Sequence, residues 1–270
     1  MIAQKNRIES LFETKDDQQK VMSLFLTAGY PDLESTADLV VGFEKNGADM
    51  IELGMPFSDP LADGPTIQEA SNVAIENGIT MDGIFDMVKK IRESSQIPVI
   101  LMGYINPVFR YGVEKFCRMA EQAGVDGLII PDAPIEESGI LSEHAAAHGL
   151  HMIYLVAPNT SSERMKVIDQ KSDGFVYCVS VTGVTGARDG NEVAQSVQRF
   201  ISRVKDNVQK NPKLVGFGIK NHNDAMKISD GLDGFIVGSA LIETIRSNYP
   251  DQGWQQKLFS FVKDLKYGNS

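Results

Sequence analysis

The chain has 270 residues, 42% of them hydrophobic, which is enough apolar material for a large core. That length suits a single barrel domain, since roughly 250 residues is typical of the eight-fold strand–helix type. The net charge is −10, from 26 Lys and Arg against 36 Asp and Glu, which disfavours nucleic acid and anionic membranes as partners.

Ile8, Leu11 and Phe12 make a short amphipathic helical turn ahead of the first strand. Eight apolar runs of strand length follow: Val21–Thr27, Met50–Leu53, Val99–Gly103, Leu128–Ile130, Met152–Val156, Phe175–Val179, Leu214–Phe217 and Phe235–Val237. Helical patterns separate them. One follows Pro31-Asp32 and stops at Asn46-Gly47; another has Thr80 as N-cap and an apolar stripe of Ile84, Met87, Val88 and Ile91. Further helices are expected over Gly112–Ala123, Pro134–His148, Ser161–Gln170, Val193–Val208, Asn223–Ser229 and Ser239–Ser247, with a last one carrying Trp254, Leu258, Phe261, Val262 and Leu265. Alternation throughout implies parallel strands with right-handed crossovers, and eight units imply a closed (β/α)8 TIM barrel with one extra helix at each end. A weak repeat supports this: G-A-D (47–49), G-V-D-G (124–127), K-S-D-G (171–174) and G-L-D-G (231–234) precede strands two, four, six and eight.

Cys117 and Cys178 lie in unrelated segments with no C-x-x-C spacing and read as packing residues in a reducing compartment. The four histidines show no metal-ligand spacing, and His144 with His148 reads as a surface pair. No run has the length of a signal peptide core or a membrane span, so a cytoplasmic location is expected.

The stretch from Gly47 to Gln68 carries the chemistry. Glu52 lies within an apolar strand, on the same face as Met50, and a lone buried carboxylate costs several kcal/mol unless it is paired or neutralised. The loop beyond it holds Pro56, Pro60 and Pro65, with Asp59 and Asp63, and brings Asp63 to the same rim. Two carboxylates in unlike surroundings suit acid/base work: Glu52 with its pKa raised by desolvation, Asp63 ionised among donors. Simpler readings stay open: Asp63 as an N-cap with Pro65 opening the next helix, and Glu52 as the partner of an unseen Arg or Lys.

The other half of the site lies beyond the last three strands. A Gly- and Thr-rich loop (180–190) follows strand six, Gly216-Phe217-Gly218 ends strand seven, and Gly238-Ser239 leads from strand eight into a helix. Glycines at adjacent strand ends let backbone N–H groups approach an anion, and a helix N-terminus adds partial positive charge, so these corners read as a phosphate site. Phe25, Tyr104, Ile129 and Tyr177, near strand ends, would supply an apolar wall for a flat organic group. The ligand is then a small phosphorylated molecule reaching across the mouth to Glu52 and Asp63.

The run E-L-G-M-P-F-S-D-P-L-A-D-G-P-T-I-Q (52–68) resembles the signature of the tryptophan synthase alpha subunit family. So do L-T-A-G-Y-P-D (26–32), Tyr104-Ile-Asn-Pro, P-D-A-P-I-E-E (131–137), S-V-T-G-V-T-G-A-R (180–188), G-F-G-I (216–219) and G-S-A-L (238–241). Met55, where Val or Ile is expected, is a departure at a packing position. The resemblance implies retro-aldol cleavage of indole-3-glycerol phosphate to indole and glyceraldehyde 3-phosphate, a carbon–carbon lyase reaction in L-tryptophan biosynthesis. It implies Glu52 as general acid/base and Asp63 as the anion that accepts from the indole N–H. It places Gly186, Phe217, Gly218, Gly238 and Ser239 at the phosphate, Phe25, Tyr104, Ile129 and Tyr177 at or beside the indole, and Thr185 in a loop that can meet Asp63. It implies no metal or organic cofactor, pyridoxal phosphate belonging to the beta subunit. Pro56, Asp59 and Asn106 would meet that beta subunit in an alpha2beta2 tetramer. The alternatives are a stand-alone lyase releasing free indole and a mainly non-catalytic activator of the beta subunit.

Overall fold

In the computed structural model, which describes residues 5–16, 19–179 and 190–268, strand and helix alternate along the chain. The first half runs α1 (Arg7–Thr14), β1 (Val21–Thr27), α2 (Ser35–Lys45), β2 (Met50–Gly54), α3 (Pro65–Glu76), α4 (Met81–Arg92), β3 (Val99–Met102), α5 (Ile105–Tyr111), α6 (Val113–Ala123) and β4 (Gly127–Ile129). The second half runs α7 (Gly139–Ala147), β5 (His151–Met152), β6 (Leu155–Val156), α8 (Ser162–Lys171), β7 (Val176–Val179), α9 (Gly190–Asn207), β8 (Lys213–Gly216), α10 (His222–Ile228), β9 (Gly234–Val237), α11 (Ser239–Asn248) and α12 (Trp254–Tyr267).

Every strand pair is parallel, in the order β5-β4-β3-β2-β1-β9-β8-β7-β6. The two ends of that order are consecutive pieces of one extended run. Between them Ile153 N–H donates to the Leu128 carbonyl on one side, and the Tyr154 carbonyl accepts from Tyr177 N–H on the other. The sheet therefore closes into a (β/α)8 barrel. The fifth strand expected from the sequence is its closing stave, divided into β5, bonded to β4, and β6, bonded to β7.

Alternation along each strand sorts the side chains into two cores. Val21, Met50, Ile100, Ile129, Ile153, Phe175, Tyr177, Leu214 and Ile236 fill the barrel, while a larger apolar shell lies between strands and helices. α1 closes the barrel's N-terminal end: Ile8 is buried in the inner cluster, and Phe12 packs on Phe175 with ring centroids 6.4 Å apart.

The aspartate repeat has a structural cause. Oδ2 of Asp49, Asp126 and Asp233 accepts the backbone N–H of Met22, Val99 and Lys213 respectively, each at the start of a neighbouring strand. Asp126 is buried and also pairs with Arg7 at 2.9 Å and Arg92 at 2.8 Å. Three of the four aspartates of the repeat thus fasten the end of the barrel away from the mouth.

Three helices differ from expectation. Residues 134–138 form turns, so the helix expected from Pro134 starts at Gly139. α5 is absent from the expected helices; Pro107 sits in its first turn, where a missing N–H costs nothing. Asp132, from the P-D-A-P run, accepts the Ile105 N–H at 3.0 Å and caps that helix. α3 begins at Pro65 with Gly64 as its N-cap residue and no side-chain cap, so Asp63 is not an N-cap. Cys117 and Cys178 are free and buried, as expected, and Trp254 packs edge-on against Tyr249. His148 pairs with Glu121 at 2.6 Å. Among the described residues no cluster of three or more His, Cys, Asp or Glu could hold a metal ion, and no helix is long and apolar enough to cross a membrane.

Candidate active site

Met50 points into the barrel, so Glu52, two residues on along β2, does too, one layer nearer the mouth. Glu52 is completely buried. Its Oε1 accepts a hydrogen bond from Ser23 Oγ at 2.8 Å, and its Oε2 has no hydrogen-bond partner. Among the described residues no Arg or Lys reaches it, so none of them forms the ion pair that the sequence left open. Desolvation, opposed only by the Ser23 hydroxyl, pushes its pKa up to about 8. Near neutral pH this carboxyl holds its proton.

Asp63 is half-buried at the rim. Its pKa is raised by desolvation, while a hydrogen bond from the Tyr104 hydroxyl opposes the rise. Among the described residues, the donor-rich surroundings expected from the sequence are represented by the Tyr104 phenol, and Asp63 is drier than its loop composition suggests. Tyr104, itself buried, also accepts the Ala62 N–H at 2.9 Å on the same hydroxyl and stacks against Phe57 with centroids 5.5 Å apart. One tyrosine therefore ties the proline-rich loop to the rim and orients its carboxylate.

Phe25 lies opposite Glu52 in the register of β1 and β2. Two glycines border its ring: Gly54, two residues beyond Glu52 on β2, and Gly238, just after β9. A methyl group at Gly54 would stand 2.6 Å from Phe25 Cζ, and one at Gly238 would stand 3.3 Å from Phe25 Cβ. Gly216 does the same for Tyr177: a Cβ there would fall 2.5 Å from the Tyr177 hydroxyl oxygen. Real Cβ contacts essentially never fall below 3.0 Å, so Gly54 and Gly216 make room for the aromatic wall, while at Gly238 a side chain would be tight. A small cleft at the mouth is lined by Phe25, Gly54, Asp63, Met102, Tyr104 and Pro131. Met102 and Pro131 were not singled out from the sequence, although Met102 lies two residues beyond the inward-facing Ile100. Ile129 is in the inner cluster, below the rim.

Across the mouth, Gly218 is exposed with φ +68° and open space around it. Phe217 is half-buried against the outer core. Gly238 precedes α11 with no side-chain cap, and Ser239 is exposed at the first helical turn, so the N–H groups there remain available to an anion. β8 and β9 are adjacent, which brings these two corners together. Thr185 and Gly186 lie outside the described residues. Pro56 is half-buried, and Asp59 and Asn106 are exposed, with Asn106 in the first turn of α5.

The family model of the tryptophan synthase alpha chain matches residues 11–267. The alpha chain of Thermoanaerobacter sp. (strain X514) is 46% identical over 262 residues, 97% of this chain and 98% of that one. The Geobacter sp. (strain M21) alpha chain is 42% identical over 264 residues, 97% of each. A crystal structure of the Legionella pneumophila str. Paris alpha subunit superposes with a TM-score of 0.88 at 37% identity, covering 98% of both chains. A ligand-free tryptophan synthase from M. tuberculosis is similar with a TM-score of 0.85 at 31% identity, over 98% of this chain and 99% of that one. With a parallel barrel that carries a buried carboxyl on β2 and glycine corners after β8 and β9, and with matches of that extent, the chain belongs to the tryptophan synthase alpha chain family.

Proposed function

We propose that Glu52 and Asp63 divide the work of the reaction this family carries out, the cleavage of indole-3-glycerol phosphate to indole and glyceraldehyde 3-phosphate. The observation that carries this reading is a buried carboxyl, raised to about 8, with one oxygen unpartnered inside the mouth. Such a group is protonated near neutral pH and can give its proton to C3 of the indole. The ring nitrogen then becomes cationic, and Asp63 accepts its N–H and stabilises the charge. The carboxylate left at Glu52 takes the proton of the adjacent glycerol hydroxyl. The carbon–carbon bond breaks, its electrons return to the ring, and the aldehyde departs. Protons balance: one enters at C3 and one leaves the hydroxyl.

Phe25, Tyr104, Ile129 and Tyr177 form or support the indole wall, and Phe217, Gly218, Gly238 and Ser239 hold the phosphate through backbone N–H groups, with Thr185 and Gly186 as further proposed contacts. The partner is a tryptophan synthase beta chain in an alpha2beta2 assembly. Pro56, Asp59 and Asn106 are proposed contacts, on the loop and short helix that flank the rim. The test is indole release from indole-3-glycerol phosphate by the isolated chain, with and without a beta chain. Weak turnover that the beta chain raises strongly is expected; high activity alone would favour a stand-alone lyase, and none in either case a scaffold.

A further inference from the structure

Glu52 does not meet its surroundings symmetrically. Ser23, on β1, is completely buried and faces into the barrel two residues beyond Val21. Its hydroxyl donates to Oε1 at 2.8 Å, while Oε2 has no partner. Phe25, directly opposite Glu52, and the inward-facing Ile100 and Met102 on β3 offer no polar group. Among the described residues, Tyr177 on β7 is the titratable side chain that feels the charge of Glu52, and it feels Asp63 at the rim as well. A neutral carboxyl carries one O–H. With Oε1 engaged as an acceptor, that proton belongs on Oε2.

We propose that Ser23 is the positioning residue for Glu52, holding Oε1 as an acceptor so that the transferable proton resides on Oε2. This rests on the reading of Glu52 as acid/base. In the first step the Oε2 proton goes to C3; in the second, the hydroxyl proton returns to Oε2. The Ser23 bond also favours the carboxylate formed between them. Without the hydroxyl, a buried oxygen is left unsatisfied and the carboxyl can present either oxygen.

Thr and Val at this position have nearly the same shape and differ in the hydroxyl. Ser23→Thr should keep the alkaline limb of the kcat/KM–pH profile for indole release. Ser23→Val should move that limb up by about one pH unit and lower kcat about tenfold, with KM within about twofold. Equal losses in both variants with no displacement of the limb would overturn the proposal, as would a Val variant with the wild-type profile. Should neither branched side chain fold, Ser23→Ala removes the hydroxyl without added volume. Its infrared spectrum at pH 7 should show the protonated-carboxyl C=O band, identified as the band lost in Glu52→Gln, at higher frequency than in the wild type. An unshifted band overturns the role of Ser23. Wild-type turnover by Glu52→Gln overturns the acid/base reading instead and leaves the band test intact.

Discussion

Phe25 fills the space that a side chain at Gly54 would need: a methyl group there would stand 2.6 Å from Cζ and 2.9 Å from Cε2 of the ring. Gly54 ends β2, two residues beyond Glu52, so the aromatic wall and the acid share one strand end. Gly54→Ala should displace Phe25 and lower kcat/KM roughly tenfold or more, with destabilisation of about 1–3 kcal/mol, the usual cost of overpacking. Thermal unfolding and steady-state indole release on one preparation check both parts. The same logic applies to Gly216→Ala, which would press on the Tyr177 hydroxyl.

The raised pKa of Glu52 makes a stability prediction with a definite sign. Its ordinary value is 4.5 and its folded value about 8. Between those values the folded protein keeps a proton that the unfolded chain has lost, so raising the pH favours unfolding. The wild type should lose stability progressively from about pH 4.5 to about pH 8, by a few kcal/mol in total from this group. Glu52→Gln lacks this loss, so its advantage in Tm over the wild type should grow across that window. A Tm difference that stays constant with pH would contradict the burial argument.

Catalysis should follow the same group. If the first step needs a protonated Glu52, kcat/KM for indole formation falls as pH rises through about 8. A profile flat from pH 7 to about 10 would remove Glu52 as the donor.

Asp63→Asn keeps the shape of the rim and removes the charge proposed to stabilise the ring nitrogen. Turnover should fall about a hundredfold, with a much smaller change in KM. Tyr104→Phe removes the hydroxyl that accepts from Ala62 and donates to Asp63, so it should raise KM and lower kcat together by loosening the rim. Measured kinetics of the pair separate charge from positioning.

On the phosphate side, Ser239 opens α11 with its backbone N–H uncapped. Ser239→Asp places a carboxylate where the phosphate would sit. KM should rise tenfold or more while kcat for bound substrate changes little. An unchanged KM would move the phosphate elsewhere.

Much of this was legible in the sequence. Strand–helix alternation and the Gly-Asp repeat announced the barrel, and the period of two set Glu52 inward beside Met50 without any structure. What could not be read is long-range. Ser23 lies 29 residues from Glu52, and nothing in its own segment marks it as the donor. Asp132 caps α5 from 27 residues away, a contact that no local pattern around Pro107 carries. The split of the closing stave at Ile153-Tyr154 depends on which neighbour each half meets, a property of closure rather than of local pattern. Asp63 differed for a related reason: its loop is polar in composition, but the fold turns the carboxylate toward Tyr104 and the dry side of the rim.

The central claim is that Glu52 moves the protons of the cleavage. Its most direct test is the rate of indole release from indole-3-glycerol phosphate by Glu52→Gln at neutral pH, in complex with a tryptophan synthase beta chain and with the fold verified by Tm. A loss of roughly a hundredfold to ten-thousandfold, with substrate still bound, is the predicted result. Turnover at the wild-type rate would contradict it.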